Sequence, residues 1–247
     1  ITVTDVNEAP VITSNSGGST ASISYAENST STVTTVASTD EDGDTRTYTK
    51  SGTDAGAFNI GSSSGALTFA STPNYESAAD ADGNNTYIVI VTATDNGSGS
   101  LTDTQTITIT VTDVNEAPVI TSNSGGSTAS ISYAENSTST VTTVESTDED
   151  NDTRTYSISG TDADDFMLSS AGVLTFASTP NYESPTDSDQ NNVYTVIVTV
   201  SDGSLTATQT ITVTVTNVND APAIISNGGG STASITVNEN IPTVTTV

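Results

Sequence analysis

The side chains in this chain that could do chemistry are almost all carboxylates. Asp and Glu total 30 against 3 Lys and Arg, and neither His nor Cys occurs, so the formal net charge is −27. Without imidazole or thiol there is no Ser or Cys triad, no thiolate metal site and no disulfide. The acids recur in fixed settings. Asp5-Val-Asn7-Glu8-Ala-Pro10 returns as Asp113-Val-Asn115-Glu116-Ala-Pro118, and in altered form as Asn217-Val-Asn219-Asp220-Ala-Pro222. Between these copies lie Glu27 and Glu135, Asp40-Glu-Asp42 and Asp148-Glu-Asp150, Asn74-Tyr-Glu76 and Asn181-Tyr-Glu183, and Asp95 and Asp202. Oxygen-only sets of this kind suit a hard cation, since Ca²⁺ takes six to eight oxygens, mostly carboxylate and carbonyl. Paired carboxylates also hydrolyse glycosides, but Trp is absent and no sugar platform accompanies the pairs. The chain is therefore read as no enzyme. So acidic a surface repels phosphate backbones, which excludes nucleic acid. The longest apolar run, Tyr87–Val91, falls far short of the ~20 residues that span a bilayer.

The motifs recur at steps of 108 and 104 residues. That is too long for a solenoid repeat and about right for a domain. The expected organisation is the last strand of a preceding repeat at 1–8, complete repeats at 9–116 and 117–220, and the first strands of a following repeat at 221–247. The two complete repeats differ in length only in Gly/Ser loops, as at Asp95–Leu101 against Asp202–Leu205. With so few large aliphatics and so much charge, composition alone resembles disorder. The aliphatics are mostly Ile and Val, however, with only five Leu, and β-branched side chains suit a pleated strand. Tyr194, Val196, Val198 and Val200 alternate with Thr195, Ile197 and Thr199, a period of two. In the second repeat this patterning predicts strands near 130–135, 139–147, 154–159, 166–168, 173–176, 193–201 and 206–216. About seven short strands per repeat predict an all-β fold of tandem sandwiches. Asp202 shares the parity of Val200, so it is expected to point inward, where an anion needs a positive partner. The loops at Asp80–Asn85 and Asp187–Asn192 are read as polar loops, and Asp162 as a solvated turn acid.

These residues resemble one family. The linker Asp113-Val-Asn115-Glu116-Ala-Pro118 is similar to the cadherin inter-repeat signature Asp-x-Asn-Asp-Asn-x-Pro. Ala26-Glu27-Asn28 resembles the family's Pro-Glu-Asn, Asp148-Glu-Asp150 its Asp-x-Asp, and Asn74-Tyr-Glu76 its Asp-Arg-Glu. The strand ending Asp202-Gly resembles its late core strand. The resemblance implies immunoglobulin-like Greek-key sandwiches joined by calcium-binding linkers, as in repeats of large bacterial surface or secreted adhesins. It implies one ligand set drawn from Glu27, Glu76, Asp113, Asn115, Glu116, Asp148, Asp150 and Asp202. The preceding set would draw on Asp5, Asn7, Glu8, Asp40, Asp42 and Asp95, and the following one on Glu135, Glu183, Asn217, Asn219 and Asp220. Asn74 and Asn181 stand where the family has Asp, and Ala117 where it has Asn, so either two or three ions per linker is expected.

Cations then stiffen a string of repeats. The leading expectation is a calcium-rigidified extender segment of a large extracellular or cell-surface bacterial adhesin. The alternatives are a self-assembling filament, sheath or surface layer, and direct homophilic or carbohydrate adhesion. The expected partners are neighbouring repeats of the same chain and identical chains in a fibre.

Overall fold

Alternation of apolar and hydroxyl side chains dictates the backbone. In the computed structural model, which describes residues 1–228, 231–240 and 242, the chain divides into two units after Glu116. The first contains β1 (Val11–Ile12), β2 (Thr20–Ala26), β3 (Thr34–Thr35), β4 (Ser38–Thr39), β5 (Thr47–Ser51), β6 (Phe58–Ile60), β7 (Ala66–Phe69), β8 (Thr86–Thr94) and β9 (Thr102–Thr112). The second repeats the series as β10 (Val119–Ile120), β11 (Thr128–Ala134), β12 (Thr142–Thr143), β13 (Ser146–Thr147), β14 (Thr155–Ser159), β15 (Phe166–Leu168), β16 (Val173–Phe176), β17 (Val193–Ser201) and β18 (Thr206–Thr216).

Each unit is a two-sheet sandwich. In the first, a four-stranded sheet in the order β2-β9-β8-β5 faces a three-stranded sheet in the order β3-β7-β6. The first long strand, β2, runs parallel to the last, β9, from Thr20↔Thr106 to Ala26↔Thr112, whereas β9 and β8 are antiparallel. The second unit keeps this topology, with β11 parallel to β18. The short strand β1 pairs with β4, and the Ile12 amide also donates to Asp103 Oδ2 of β9 at 2.8 Å.

The core comes from both sheets. Val89, Val91, Ile107 and Ile109 project from the larger sheet onto Phe58 and Leu67 of the smaller one. Phe69 lies tilted against Phe58 with centroids 4.6 Å apart and meets the edge of Tyr87 at 5.1 Å. The second unit reproduces the arrangement with Phe166, Phe176 and Tyr194. Two glycines permit the smaller sheet to close. Gly65 and Gly172 have φ of +69° and +77°, and a Cβ there would fall 2.0 and 2.2 Å from the carbonyl oxygens of Val36 and Val144. Leu174, on the strand that follows Gly172, is fully buried. Leu174→Ala should destabilise the second unit by about 2–5 kcal/mol, read as an earlier transition in urea with the first unit's transition unmoved.

The long strands match the sequence reading, because β17 and β18 carry an uninterrupted period of two. The stretch 139–147 was expected to be one strand. It is two two-residue strands, β12 in the smaller sheet and β13 paired with β10, because the chain changes partner between them. Residues 1–10 form no strand, though one was expected at 1–8: a strand needs a hydrogen-bonded neighbour, and Ile1 and Val3 stay exposed. Of the strands expected at 221–247, the described residues contain a 3-10 turn at Ser226–Gly228 and no strand. Positions 229–230, 241 and 243–247 lie outside the described residues.

Candidate metal centres

The acidic motifs sit where strands end. In the first unit, Glu27 follows β2 directly and is 2 % exposed. Its Oε1 accepts the Val114 amide at 2.8 Å and its Oε2 the Tyr75 amide at 2.7 Å, so one carboxylate ties the end of β2 to two later segments. Carboxylate oxygens of Glu27, Glu76 and Glu116 lie within 4.8 Å of one another. The Asn28 side-chain amide donates to Glu116, and Asn74 Oδ1 accepts the Ser77 amide at 2.5 Å, shaping the turn that carries Glu76. Asp113 is exposed just past β9, and the Asn115 side chain donates to the Glu116 carbonyl at 3.2 Å.

The second unit builds the same centre. Glu135, again 2 % exposed, accepts the amides of Val218 and Tyr182 at 2.8 and 2.7 Å. Those two amides hold its carboxyl below the usual carboxylate range. Glu135, Glu183 and Asp220 bring their oxygens within 4.8 Å. Asn217 donates to Glu183 at 2.7 Å, Asn136 to Asp220 at 3.2 Å, and Asn219 to the Asp220 carbonyl at 3.4 Å.

A second kind of cluster forms in the loop after β4. Asp40, Asp42 and Asp44 place their oxygens within 4.8 Å, as do Asp148, Asp150 and Asp152 after β13. The i, i+2, i+4 spacing in Asp40-Glu-Asp42-Gly-Asp44 was the signal for the third acid, and the sequence reading missed both Asp44 and Asp152. The loop curls around its first carboxylate: Asp40 Oδ1 accepts the amides of Asp42 and Asp44, each at 3.1 Å, and Asp148 Oδ1 accepts that of Asp152 at 3.1 Å. The other oxygens, Asp40 Oδ2 and Asp148 Oδ2, are buried without a hydrogen bond. A buried anionic oxygen with no donor is unfavourable unless a cation satisfies it.

In the first unit this loop gathers further oxygens. The Asn7 side chain donates to Asp95 Oδ2 at 3.1 Å and to the Ser98 carbonyl at 3.2 Å, while the Glu8 amide donates to Asp42 at 2.9 Å. Burial, then the neighbouring acids Asp42 and Glu41, raise the Glu8 carboxyl, and Asp5 adds to the same effect. Burial, then Asp40, Asp95 and Asp42, raise that of Asp44. Neighbouring like charges thus add to burial in raising the Glu8 and Asp44 carboxyls.

Asp95 and Asp202 differ. Asp95 is 4 % exposed, with the Leu101 amide donating to it at 3.0 Å, because its longer loop folds back over it. Asp202 was expected to point inward, yet it is half-buried. It accepts the amides of Ser204 and Leu205, each at 2.6 Å, and serves its own short turn.

Asp162 is not the solvated turn acid expected from sequence. It is 5 % exposed and accepts the amides of Ser188 and Thr195 at 2.9 and 2.7 Å. Asp54 does the same for Ala81 and Ile88 at 2.8 and 2.7 Å. Asp80 and Asp187 are buried as well, each accepting two amides of its own loop, from Asn84 and Asn85 and from Asn191 and Asn192. The polar-loop reading of Asp80–Asn85 and Asp187–Asn192 thus understated their acids, which are internal anchors.

With this geometry in place, residues 20–112 match the cadherin domain family model. That span, most of the first unit, is cadherin-like. Crystal structures similar to it include Drosophila N-cadherin EC1-4, at 25 % identity and a TM-score of 0.50, covering 85 % of this chain and 50 % of that one. Human protocadherin-24 EC1-2, form II, is similar at 20 % identity and a TM-score of 0.53, covering 86 % and 100 %. The chain thus spans about half the length of the N-cadherin structure it matches. No curated protein matches its sequence. No helix is long and apolar enough to cross a membrane among the described residues. The donors of the two units, carboxylate and amide oxygens that include the buried Asp40 Oδ2 and Asp148 Oδ2, are chemically suited to calcium.

Proposed function

We propose that this segment is a calcium-rigidified extender of a large extracellular adhesin of bacterial surface type. The observation that carries the reading is the pair of buried, donorless oxygens Asp40 Oδ2 and Asp148 Oδ2, at the same place in both repeats and each inside an acidic triplet. Asp42, Asp44, Asp150 and Asp152 supply the further oxygens, and Asp95, Asn7 and Glu8 crowd the first of these clusters. Glu27, Glu76 and Glu116, and in the second repeat Glu135, Glu183 and Asp220, form the other proposed sites. Asp113, Asn115 and Glu116 end one repeat and lead within a few residues into β10, so an ion held by linker oxygens restricts the passage from one repeat to the next. Extracellular calcium modules work at dissociation constants of about 10⁻⁴–10⁻³ M, which suits a permanent stiffener better than a signal. The near-identity of the two repeats supports a spacer role, because a ligand-binding tip needs only one specialised domain.

Isothermal titration tests the sites. Asp40→Asn and Asp148→Asn keep the shape of the side chain and remove the charge, and each should weaken calcium binding at its cluster about tenfold, equivalent to ~1.4 kcal/mol. Circular dichroism should report an unchanged β content. Calcium affinity equal to wild type in both variants would remove the triplets from the ligand set.

A further inference from the structure

The first repeat contains a cavity lined by none of the clustered acids. It measures about 600 Å³, inside the range of about 300–1,000 Å³ usual for small-molecule sites. Phe69 and Tyr87 form its aromatic wall, with ring centroids 5.1 Å apart and planes at 87°. Ala57, Pro73 and Ala79 add apolar surface, and Asp54 is the one charged residue in the lining. Asp54 is 8 % exposed. Its Oδ1 accepts the Ala81 amide at 2.8 Å and its Oδ2 the Ile88 amide at 2.7 Å. An ionised carboxylate offers about four acceptor positions, so each oxygen can take a further donor from the cavity. Lys50, the only lysine in the chain, donates instead to the Ala55 carbonyl at 2.6 Å. An anion this buried attracts a cation strongly, because little water lies between them to weaken the field.

The two repeats differ at this place. Asp165 and Thr186 of the second repeat stand where the first has Ala57 and Ala79, and Thr186 Oγ1 donates to Asp165 Oδ1 at 2.7 Å. That hydrogen bond ties the 3-10 turn Ala163–Asp165 to the loop before β17. Two alanine methyls cannot form it, so the first repeat leaves the corresponding walls untied. We propose that the cavity of the first repeat binds a small organic cation, an ammonium group carried on an apolar body. The ammonium takes the unused acceptor positions of Asp54. The apolar body lies against Phe69 and Tyr87, whose rings add an attraction for the positive charge. An anionic ligand is excluded, because Asp54 and a chain at −27 both oppose it. A neutral ligand leaves the buried charge without its partner. The inference does not rest on the extender reading, since it uses none of the proposed calcium ligands.

Titration calorimetry of the full chain in saturating calcium is the test, with about 500 mM NaCl to screen general attraction to the acidic surface. Benzylammonium is the probe. Its neutral isostere benzyl alcohol should bind about tenfold more weakly, and benzoate should not bind. Ala57→Leu combined with Ala79→Leu fills the cavity and should weaken benzylammonium about tenfold. Asp54→Asn should weaken it to a similar extent, whereas Asp162→Asn, at the corresponding place in the second repeat, should leave it within about twofold of wild type. Asp54→Asn also disturbs two backbone hydrogen bonds, so NMR of the unaltered chain provides a second measurement. Benzylammonium should shift the methyl signals of Ala57 and Ala79 and leave those of Ala163 and Ala177 in place. A chain that does not bind benzylammonium under these conditions overturns the proposal. So do equal affinities for benzylammonium and benzyl alcohol, equal effects of the two asparagine variants, or shifts confined to residues outside the cavity.

Discussion

Removing calcium with EDTA should lower the melting temperature by ~10–20 °C and broaden the distribution of inter-repeat geometries seen by small-angle scattering. The magnitude follows from linkage: an ion bound only by the native state at a hundredfold excess over its dissociation constant contributes ~2.7 kcal/mol per site. For a domain of this size, each kcal/mol moves the transition by roughly 4–8 °C. The sign is set by Asp40, Asp42 and Asp44, whose oxygens lie within 4.8 Å of one another and repel unless a cation neutralises them. Sodium chloride should not replace calcium. Monovalent ions screen repulsion between exposed carboxylates, but they do not coordinate the buried oxygens Asp40 Oδ2 and Asp148 Oδ2. Three melts separate the explanations: calcium, EDTA, and EDTA with high salt. Full recovery of stability and rigidity in the third would reduce the clusters to a solvated acidic patch.

Asp162→Ala should destabilise the second repeat by about 3 kcal/mol in calcium-saturated buffer. Asp162 accepts the amide of Thr195 on β17 and that of Ser188 in the preceding loop. Its loss leaves two partly buried donors unpaired, and hydrogen bonds to a charged group contribute about 1.5–3 kcal/mol each. Asp162→Asn separates charge from shape through pH. Burial raises the Asp162 carboxyl, but the amides of Thr195 and Ser188 outweigh it and leave the group below its usual range. A carboxyl depressed in the folded state stabilises fully above its unfolded value, about 3.9, and that stabilisation is lost as pH falls through the lower folded value. The gap between wild type and Asp162→Asn should therefore be widest near pH 7 and narrow below about pH 4. A gap that is constant with pH would show that the amide partners do not depend on the charge. The raised carboxyls of Glu8 and Asp44 act in the opposite sense. Without calcium they oppose folding more as pH rises through the carboxylate range, so the calcium dependence of the first repeat should steepen from about pH 4 to about pH 7.

The anchors illustrate what the sequence conceals. β9 and β18 were legible because eleven residues of unbroken alternation admit only a strand with one face buried. Glu27 and Glu135 were legible as recurring acids at strand ends because each stands in a repeated motif. Asp162 was not, since the amide of Thr195 it accepts lies 33 residues away, and nothing local separates a buried anchor from a solvated turn. The two-residue strands β12 and β13 are too short to show a period, so the change of sheet between them is visible only in three dimensions. Parity did locate Asp202 at the end of a core strand, but its burial was decided by loop length, which parity does not sense.

The parallel pairing of β2 with β9, and of β11 with β18, has a mechanical consequence. A pull on the ends of one repeat draws the start of its first long strand and the end of its last in opposite directions along a common axis. Parallel neighbours loaded in this way slide lengthwise, so the hydrogen bonds from Thr20↔Thr106 to Ala26↔Thr112 bear the force together and must fail together. A hairpin pulled at its open end would instead unzip, its bonds breaking in succession. The topology thus favours a tether that resists stretching by shear, and the first element to give under load is the brief pairing of Val11 and Ile12 with Ser38 and Thr39, which can yield slack before the sandwich itself opens.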